Sequence, residues 1–202
     1  MATNVLVAFY SRNGSTEALA KAFAEGAQSA GAETRLRRAR DIVGADVIAG
    51  VPGWKENAGR MDAAYGAPTT ADIEWADAVA FGTPTRFGNV SAELKAFIDS
   101  LGGLWFQGKI NGKAGAAIVS TQTLHGGNET TLLTLYAPLA HLGFIIVPAG
   151  YVDPALFKAG TPYGASTVSG QNQPPTADDV AVAKVHGARV AKVAAALKAA
   201  RG

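Results

Sequence analysis

The feature that most constrains the fold is the alternation of apolar runs with helical segments. The continuous apolar run Val5 to Tyr10 predicts a buried strand, and Leu19, Phe23 and Ala27 then recur at helical spacing between residues 16 and 30. A tight polar turn joins the two segments. Buried strands separated by helices form parallel sheets that are covered on both faces. The opening of the chain therefore predicts the first unit of an α/β fold.

The same alternation continues along the sequence. Strands are expected at 34–37, 78–82, 114–120 and 144–148, and helices from about Ser91, at 131–142 and at 178–200. Two stretches, 44–70 and 151–177, are rich in Gly, Pro and small residues without a clear period, so they are expected to be long loops. We therefore predict one α/β domain over residues 1–202, a doubly wound five-stranded parallel sheet with helices on both faces.

Composition limits the chemistry. The sequence has no cysteine, which excludes disulfides, thiolate metal sites and a cysteine nucleophile, so redox activity would require a bound cofactor. The 18 basic and 16 acidic residues give a net charge of +2, far from the clustered excess that nucleic-acid binding requires. The densest basic cluster is expected to be a solvated strand edge; it consists of Arg35, Arg37, Arg38 and Arg40.

The sequence also predicts where the protein resides. No apolar run approaches the ~18 residues that would span a bilayer. The first residues lack the basic flank and small-residue cleavage site of a secretory signal. We therefore expect a soluble, cytoplasmic protein with no membrane span.

The loop after the first strand is suited to bind an anion. In an open α/β sheet, ligands lie at the carboxyl ends of the strands. Here that position carries three hydroxyls and a glycine, in the order Ser11, Arg12, Asn13, Gly14, Ser15 and Thr16. Main-chain N–H and side-chain O–H groups can converge there on a phosphate monoester, whereas the lysine of a P-loop and the glycine spacing of a dinucleotide site are missing. An ordinary helix cap is the alternative interpretation.

Two further loops follow the next strands and can hold the rest of such a ligand. The second offers a stiff backbone, an aromatic ring and an amide; it comprises Thr83, Pro84, Thr85, Arg86, Phe87, Gly88 and Asn89. The third is polar and contains glycine; it comprises Ser120, Thr121, Gln122, Thr123, Leu124, His125, Gly126 and Gly127. A Pro/Gly turn with Phe87 packed into the core explains the second loop equally well, and a mobile loop explains the third.

The affinity needed to retain a cofactor requires contacts from all three loops. A helix N-terminus favours an anion by only ~0.3–1 kcal/mol when exposed and about 2 kcal/mol when partly buried, whereas micromolar affinity needs about 8 kcal/mol. The phosphate loop alone cannot retain a cofactor. A flat heterocycle held by the second and third loops has to supply the remainder.

Four segments, in order, give the chain its family resemblance. They are 82–89 (GTPTRFGN), 102–105 (GGLW), 139–141 (LAH) and 160–167 (GTPYGAST). With these segments the chain resembles the WrbA family of flavodoxin-like NAD(P)H:quinone oxidoreductases over nearly its whole length. Asn13 departs from the pattern, since that position is commonly aromatic in the family.

The resemblance implies a flavodoxin-like fold with tightly bound FMN. It implies that 11–16 surround the phosphate, that 83–89 run along the isoalloxazine and that 120–127 flank it. It also makes His141 the expected catalytic histidine near the flavin, and Trp105 the expected wall of the pocket for nicotinamide and quinone. From the residues alone, packing is the simpler explanation of Trp105, and capping a carbonyl that of His141.

The resemblance further implies a reaction and an assembly. NADH or NADPH, as co-substrate, would deliver hydride to flavin N5 and leave, and a quinone would then take two electrons and two protons, in ping-pong order. The family's pockets form between subunits, which implies a homodimer or homotetramer and a role against quinone and oxidative stress.

Two other functions fit a flavodoxin-like chain. A one-electron carrier of the flavodoxin type is the first, although such carriers are markedly acidic and this sequence has a pI near 8.9. A non-catalytic interaction protein that has lost its flavin is the second. Flavin binding separates the second from the others, and quinone reduction without a separate reductase separates the first from the enzyme.

Overall fold

A computed structural model describes residues 2–170 and 173–201. Its strands form one parallel sheet with the spatial order β2-β1-β3-β4-β5, and a sixth strand also pairs with β4. The strands are β1 (Thr3–Phe9), β2 (Ala32–Arg38), β3 (Ala78–Pro84), β4 (Ala114–Thr121), β5 (Ile145–Ile146) and β6 (Ala165–Val168). The predicted flavodoxin-like α/β sheet is confirmed.

The fifth position of the sheet is shared by two short strands. β5 pairs with the start of β4 at Ala114 and Gly115, and β6 pairs with its end from Ile118 to Thr121. The strand expected at 144–148 is therefore reduced to two residues, and the expected loop at 151–177 contains β6 and a 3-10 helix at Pro154–Phe157. β6 escaped prediction because its four residues, Ala-Ser-Thr-Val, are too short and polar to show a period.

The described residues form eight α-helices. They are α1 (Ser15–Ser29), α2 (Ala45–Ala49), α3 (Trp54–Ala64), α4 (Thr70–Trp75), α5 (Ala92–Asp99), α6 (Gly102–Phe106), α7 (Asn128–His141) and α8 (Ala177–Arg201). None of these described helices is long and apolar enough to cross a membrane. The predicted cap of α5 is confirmed, because the Ser91 hydroxyl accepts a hydrogen bond from the Leu94 N–H.

The expectation of a long loop at 44–70 is wrong, since α2 and α3 lie within it and α4 begins at its end. Trp54, Ala58 and Met61 are buried along one side of α3, at spacings of four and three residues. Thr69 and Asp72 form a capping box at the start of α4. Glycines around α3 obscured its helical period, and α2 and α4 are too short to show one.

The two faces of the sheet bury separate cores. Val5, Val7 and Phe9 of β1 pack on the face that α1 and α8 cover. The alternate residues Leu6 and Ala8 pack on the opposite face, against α5 and α7. The continuous apolar run in β1 is therefore explained by burial on both faces.

α1 and α8 cross with their backbones almost in contact. A Cβ atom at Gly26 would lie 1.9 Å from the Lys184 carbonyl oxygen, and one at Gly187 would lie 1.9 Å from the Phe23 carbonyl oxygen. Only glycine fits at either position of this crossing. The crossing fixes α1, whose first turn faces the site described below.

A buried histidine of α8 joins the two halves of the fifth strand position. His186 Nε2 lies 2.9 Å from the Val147 carbonyl oxygen, just after β5, and Nδ1 accepts a hydrogen bond from the Ala165 N–H at the start of β6. Because a carbonyl oxygen only accepts, Nε2 carries the proton and the ring is neutral. Burial lowers the pKa of His186 to about 4.

Candidate functional site

A cleft of about 400 Å³ lies at the carboxyl edge of the sheet. It is lined by residues from the three predicted loops and by one residue after β6: Ser11, Arg12, Asn13, Ser15, Thr16, Pro84, Thr85, Arg86, Phe87, Ser120, Thr121, Gln122, Thr123, Gly126 and Ser169. The three loops come together because β1, β3 and β4 are neighbours and run parallel. The fold thus assembles one site from segments that are distant in sequence.

The first loop presents the N-terminus of α1 to this cleft. Gly14 is the N-cap residue of α1, with φ 96°, and being glycine it provides no side-chain cap, so the helix is called uncapped here. The Ser11 hydroxyl accepts a hydrogen bond from the Gly14 N–H at 3.0 Å, which closes the turn. The Thr16 hydroxyl lies 2.8 Å from the Ser120 hydroxyl and thereby connects the first loop to the third. Buried hydroxyls and uncapped N–H groups form an anion-binding arrangement.

Phe87 occupies an unusual position in the second loop. Its φ is 53°, in the left-handed region that side chains rarely adopt, and its ring is fully exposed. The backbone beside it is fixed, because the Thr85 hydroxyl lies 2.8 Å from the Thr131 hydroxyl and accepts from the Gly88 N–H. Packing of Phe87 into the core is therefore excluded. An aromatic ring held at a cleft in a strained conformation is typical of a ligand-binding residue.

The third side of the cleft includes a residue that the sequence did not reveal. Ser169 is buried, its N–H donates to the Thr121 carbonyl oxygen at 2.7 Å and its hydroxyl donates to the same oxygen at 3.1 Å. It directly follows β6, so it lies at the carboxyl edge like the other loops. Because the sequence of β6 did not indicate a strand, Ser169, which follows it, could not be predicted at the cleft.

Seven predicted residues belong to these loops without lining the cleft. They are Gly14, Thr83, Gly88, Asn89, Leu124, His125 and Gly127. Thr83 is fully buried, and its hydroxyl accepts from the Ser91 N–H and donates to the Pro84 carbonyl oxygen. Gly127, with φ 92°, begins α7. Thr83 and Gly127 therefore shape the loops, whereas Leu124 and His125 are exposed outside the cleft.

The structure does not bring His141 and Trp105 to the cleft. His141 ends α7, whose fourteen residues separate it from Gly127 by roughly 20 Å at about 1.5 Å per residue. Both residues instead line a second cavity of about 490 Å³, together with Ile98, Asp99, Gly102, Pro138 and Leu142. This cavity lies towards the amino edge of the sheet, where the Gly112 N–H donates to the Gly143 carbonyl oxygen before β4. His141 and Trp105 therefore lie away from the cleft of their own chain, and their expected place beside the flavin stays a prediction about an assembled oligomer.

A buried arginine donates a hydrogen bond to the backbone of the phosphate loop. Arg38 is fully buried, and its Nη2 donates to the Ser11 carbonyl oxygen at 3.2 Å and to Asp41 Oδ2 at 2.7 Å. Its Nη1 donates to Asp62 at 2.6 Å. The expectation of a solvated arginine edge is wrong at this position, since β2 ends beside β1 and two carboxylates compensate the buried charge.

Asp41 connects this arginine to two aromatic residues. Its Oδ1 accepts from the Tyr10 hydroxyl at 2.7 Å and from Trp54 Nε1 at 2.9 Å. Burial raises the pKa of Asp41, but the hydrogen bonds from Arg38, Tyr10 and Trp54 outweigh it and hold that pKa below its usual value. Burial, followed by the Asp41 hydrogen bond, raises the pKa of Tyr10 well above its usual range. The network stays ionised as an Arg38–Asp41 pair at neutral pH.

A second ion pair neutralises the acid nearest the anion site. Glu17, in the first turn of α1, accepts two hydrogen bonds from Arg60 at 2.9 and 2.6 Å and one from the Tyr65 hydroxyl. Burial raises the pKa of Glu17, but these partners bring it below its usual value. A Cβ atom at Gly14 would lie within 3.9 Å of both charged groups. The carboxylate is therefore compensated, and no acidic side chain of the described residues lines the cleft.

The donor set fits the phosphate and ring of FMN. The phosphate end offers buried hydroxyls of Ser11, Thr16 and Ser120 with the uncapped α1 N-terminus. The opposite side offers Phe87 and the Thr85 to Arg86 backbone for a flat heterocycle. No group of metal-ligating side chains occurs among the described residues. Fold and cleft together define the class of flavodoxin-like flavin-binding proteins.

Comparison with known proteins identifies the family. The profile of NADPH-dependent FMN reductases matches residues 1–155, which is most of the chain. A Deinococcus radiodurans NAD(P)H dehydrogenase (quinone) is 47% identical over 167 residues, 82% of this chain and 83% of that protein. A Paraburkholderia phymatum NAD(P)H dehydrogenase (quinone) is 41% identical over 201 residues, 96% of this chain and 98% of that protein. This chain belongs to the NADPH-dependent FMN reductase family.

A solved structure supports the same assignment. The flavodoxin, WrbA-like protein from Agrobacterium tumefaciens superposes with a TM-score of 0.68 at 27% sequence identity, covering 96% of this chain and 99% of that chain. The resemblance to the WrbA family that the four sequence segments indicated is confirmed.

Proposed function

We propose that this protein is an FMN-dependent NAD(P)H:quinone oxidoreductase. The observation that carries the proposal is the single cleft in which the uncapped N-terminus of α1 and the exposed ring of Phe87 lie on facing loops. The names of the relatives support the substrates, and the family supports the cofactor.

The chain's own residues bind and orient the reactants. Hydroxyls of Ser11, Thr16 and Ser120, with N–H groups of α1, hold the FMN phosphate, and the loops carrying Phe87 and Gly126 hold the ring. When bound, FMN supplies hydride acceptance from the nicotinamide and two-electron donation to the quinone. The net reaction converts NAD(P)H, a proton and a quinone into NAD(P)⁺ and a hydroquinone.

A second copy of the chain completes the substrate pocket in this proposal. Trp105 and the neighbouring Phe106 are exposed, and Trp105 shares its cavity with His141 far from the cleft of its own chain. In a homodimer or homotetramer, these side chains approach the cleft of another subunit, where Trp105 walls the nicotinamide and quinone pocket. In that pocket, His141 donates a proton to the quinone oxygen.

Two measurements, made one after the other, test the proposed function. Apoprotein is titrated with FMN, and quenching of flavin fluorescence gives its Kd. The loaded protein is then mixed with NADH or NADPH and benzoquinone without any added reductase. We expect flavin binding and oxidation of the nucleotide that depends on the quinone.

The alternatives give different results in the same experiment. A protein that binds FMN without oxidising either nucleotide behaves as a one-electron carrier. A protein that fails to bind FMN is an interaction protein with a flavodoxin-like fold. Either result contradicts the proposed enzyme.

A further inference from the structure

The side chain of Arg12, which lines the cleft, stacks on the ring of Trp54. The guanidinium carbon of Arg12 lies 4.7 Å from the centroid of the Trp54 ring, a stacking distance for a cation on an aromatic face. Trp54 is itself buried at the start of α3, and its indole N–H is held by Asp41. Asp41 in turn is fixed by the fully buried Arg38. The planar cation is thus supported by a rigid base rather than by a flexible surface.

Unlike Arg38 and Arg60, Arg12 has no carboxylate partner among residues 2–170 and 173–201. Arg38 is paired with Asp41 and Asp62, and Arg60 is paired with Glu17. Arg12 nevertheless lines the same cleft as the hydroxyls of Ser11 and Thr16. An uncompensated guanidinium therefore lies next to the neutral donors of the phosphate loop, whereas the other arginine that lines the cleft, Arg86, belongs to the second loop and donates to the Thr85 carbonyl oxygen.

We propose that Arg12 is a specificity-determining residue that binds the phosphate ester of the flavin and selects FMN over riboflavin, with Trp54 as its positioning residue. The inference rests on the proposed FMN site. A guanidinium forms charge-assisted hydrogen bonds to phosphate that are roughly twice as strong as neutral ones. Stacking on Trp54 orders the planar group before the ligand arrives, so less rotamer freedom is lost on binding.

The test compares FMN with riboflavin, because the two differ only in the phosphate. Apoproteins of the wild type and Arg12→Met are titrated with each flavin, followed by flavin fluorescence. We expect Arg12→Met to raise the Kd for FMN roughly 10-fold, the value for about 1.4 kcal/mol, and to leave the Kd for riboflavin unchanged. The weakening of FMN binding by added salt is expected to be smaller in the variant.

A matched variant controls for overall charge. Lys55 follows Trp54 on α3, is exposed and has no ion pair among the described residues, so Lys55→Met removes the same charge outside the cleft. We expect its Kd for both flavins to equal that of the wild type. Equal losses in Lys55→Met and Arg12→Met would overturn the proposal in favour of long-range electrostatics.

Trp54 variants test the positioning role without removing a charge. Trp54→Leu removes the stacking surface and is expected to lower the preference for FMN over riboflavin, whereas Trp54→Phe retains a ring and is expected to keep most of it. Circular dichroism of each apoprotein verifies that α3 and the sheet are folded. Loss of binding for both flavins in a folded Arg12→Met would show a contact with the ring and overturn the assignment.

The outcomes also separate this inference from the proposed function. If wild-type protein binds neither flavin, the FMN site itself fails. If wild type and Arg12→Met bind FMN with the same Kd, the FMN site stands and only the role of Arg12 is overturned.

Discussion

The cleft and the second cavity are similar in size but differ in how they are built. The cleft is formed by four polar segments at the carboxyl edge, with hydrogen bonds that connect one loop to another, such as Thr16 to Ser120. The second cavity is formed by the ends of α5, α6 and α7, and it exposes the ring of Trp105. The cleft is pre-organised by its own chain, whereas the cavity presents an aromatic surface that another molecule can cover. In the proposed function, the cleft binds the cofactor and the second cavity contributes to substrate reduction, so the two regions can be tested separately.

The largest expected effect is that of acid on the stability of the sheet that carries the cleft, through the buried His186. The pKa of His186 is lowered from its ordinary value of 6.5 to about 4, so between these values the unfolded chain binds a proton that the folded chain does not. Its contribution is complete above pH 6.5 and is lost as the pH falls towards 4, by roughly 3 kcal/mol. We expect urea unfolding at pH 7.5, 6 and 5 to show this decline.

The variant His186→Gln isolates that contribution. A glutamine can donate to the Val147 carbonyl oxygen but does not titrate, so its stability is expected to stay flat between pH 6.5 and 4.5. Carboxylates such as Asp41 and Glu17, with lowered pKa values, lose their contribution only at lower pH. An equal decline in both proteins would show that His186 is not the group responsible.

The variant Thr16→Val gives the next largest effect, on cofactor affinity. It keeps the shape of the side chain but removes the hydroxyl that lies against Ser120. We expect the Kd for FMN to rise roughly 10-fold to 100-fold, because a hydrogen bond to a charged phosphate contributes about 1.5–3 kcal/mol. Fluorescence titration measures this, and Thr34→Val, which alters a hydroxyl of β2 that contacts Gln28 outside the cleft, is the control.

The smallest effect on FMN binding is expected from Trp105→Ala. Because Trp105 does not line the cleft, the Kd for FMN should equal that of the wild type, while quinone reduction and the mass measured by light scattering both fall. Phe157→Ala, which removes an exposed ring outside both the cleft and the cavity, is the matched control for quinone reduction. Weakened FMN binding in Trp105→Ala would remove the distinction between the two regions.

The sequence predicted what local patterns encode. The apolar run of β1 and the stripe of α5 gave the sheet and its covering helices, and the position after each strand gave the three loops. Those loops supply fourteen of the fifteen residues that line the cleft, and Ser169 is the exception. Local periodicity and the rule for parallel sheets were sufficient for this part.

The remainder depended on long-range contacts that a pattern does not contain. The buried state of Arg38 requires Asp41 and Asp62 to meet it in space, and a run of four arginines resembles a solvated edge. The distance of His141 from the cleft follows from the length and direction of α7, which a family resemblance to an assembled pocket does not reveal. Short elements such as α2 and β6 lack the length that a period needs.

The divided fifth strand position suggests where the protein can be extended by engineering. β5 and β6 pair independently with opposite ends of β4, and the chain between them passes through the exposed Phe157 and Lys158. We expect a peptide tag inserted after Lys158 to change the register of neither strand. The enzyme can therefore carry an internal affinity handle or surface anchor while the flavin end of the sheet keeps its own hydrogen bonds.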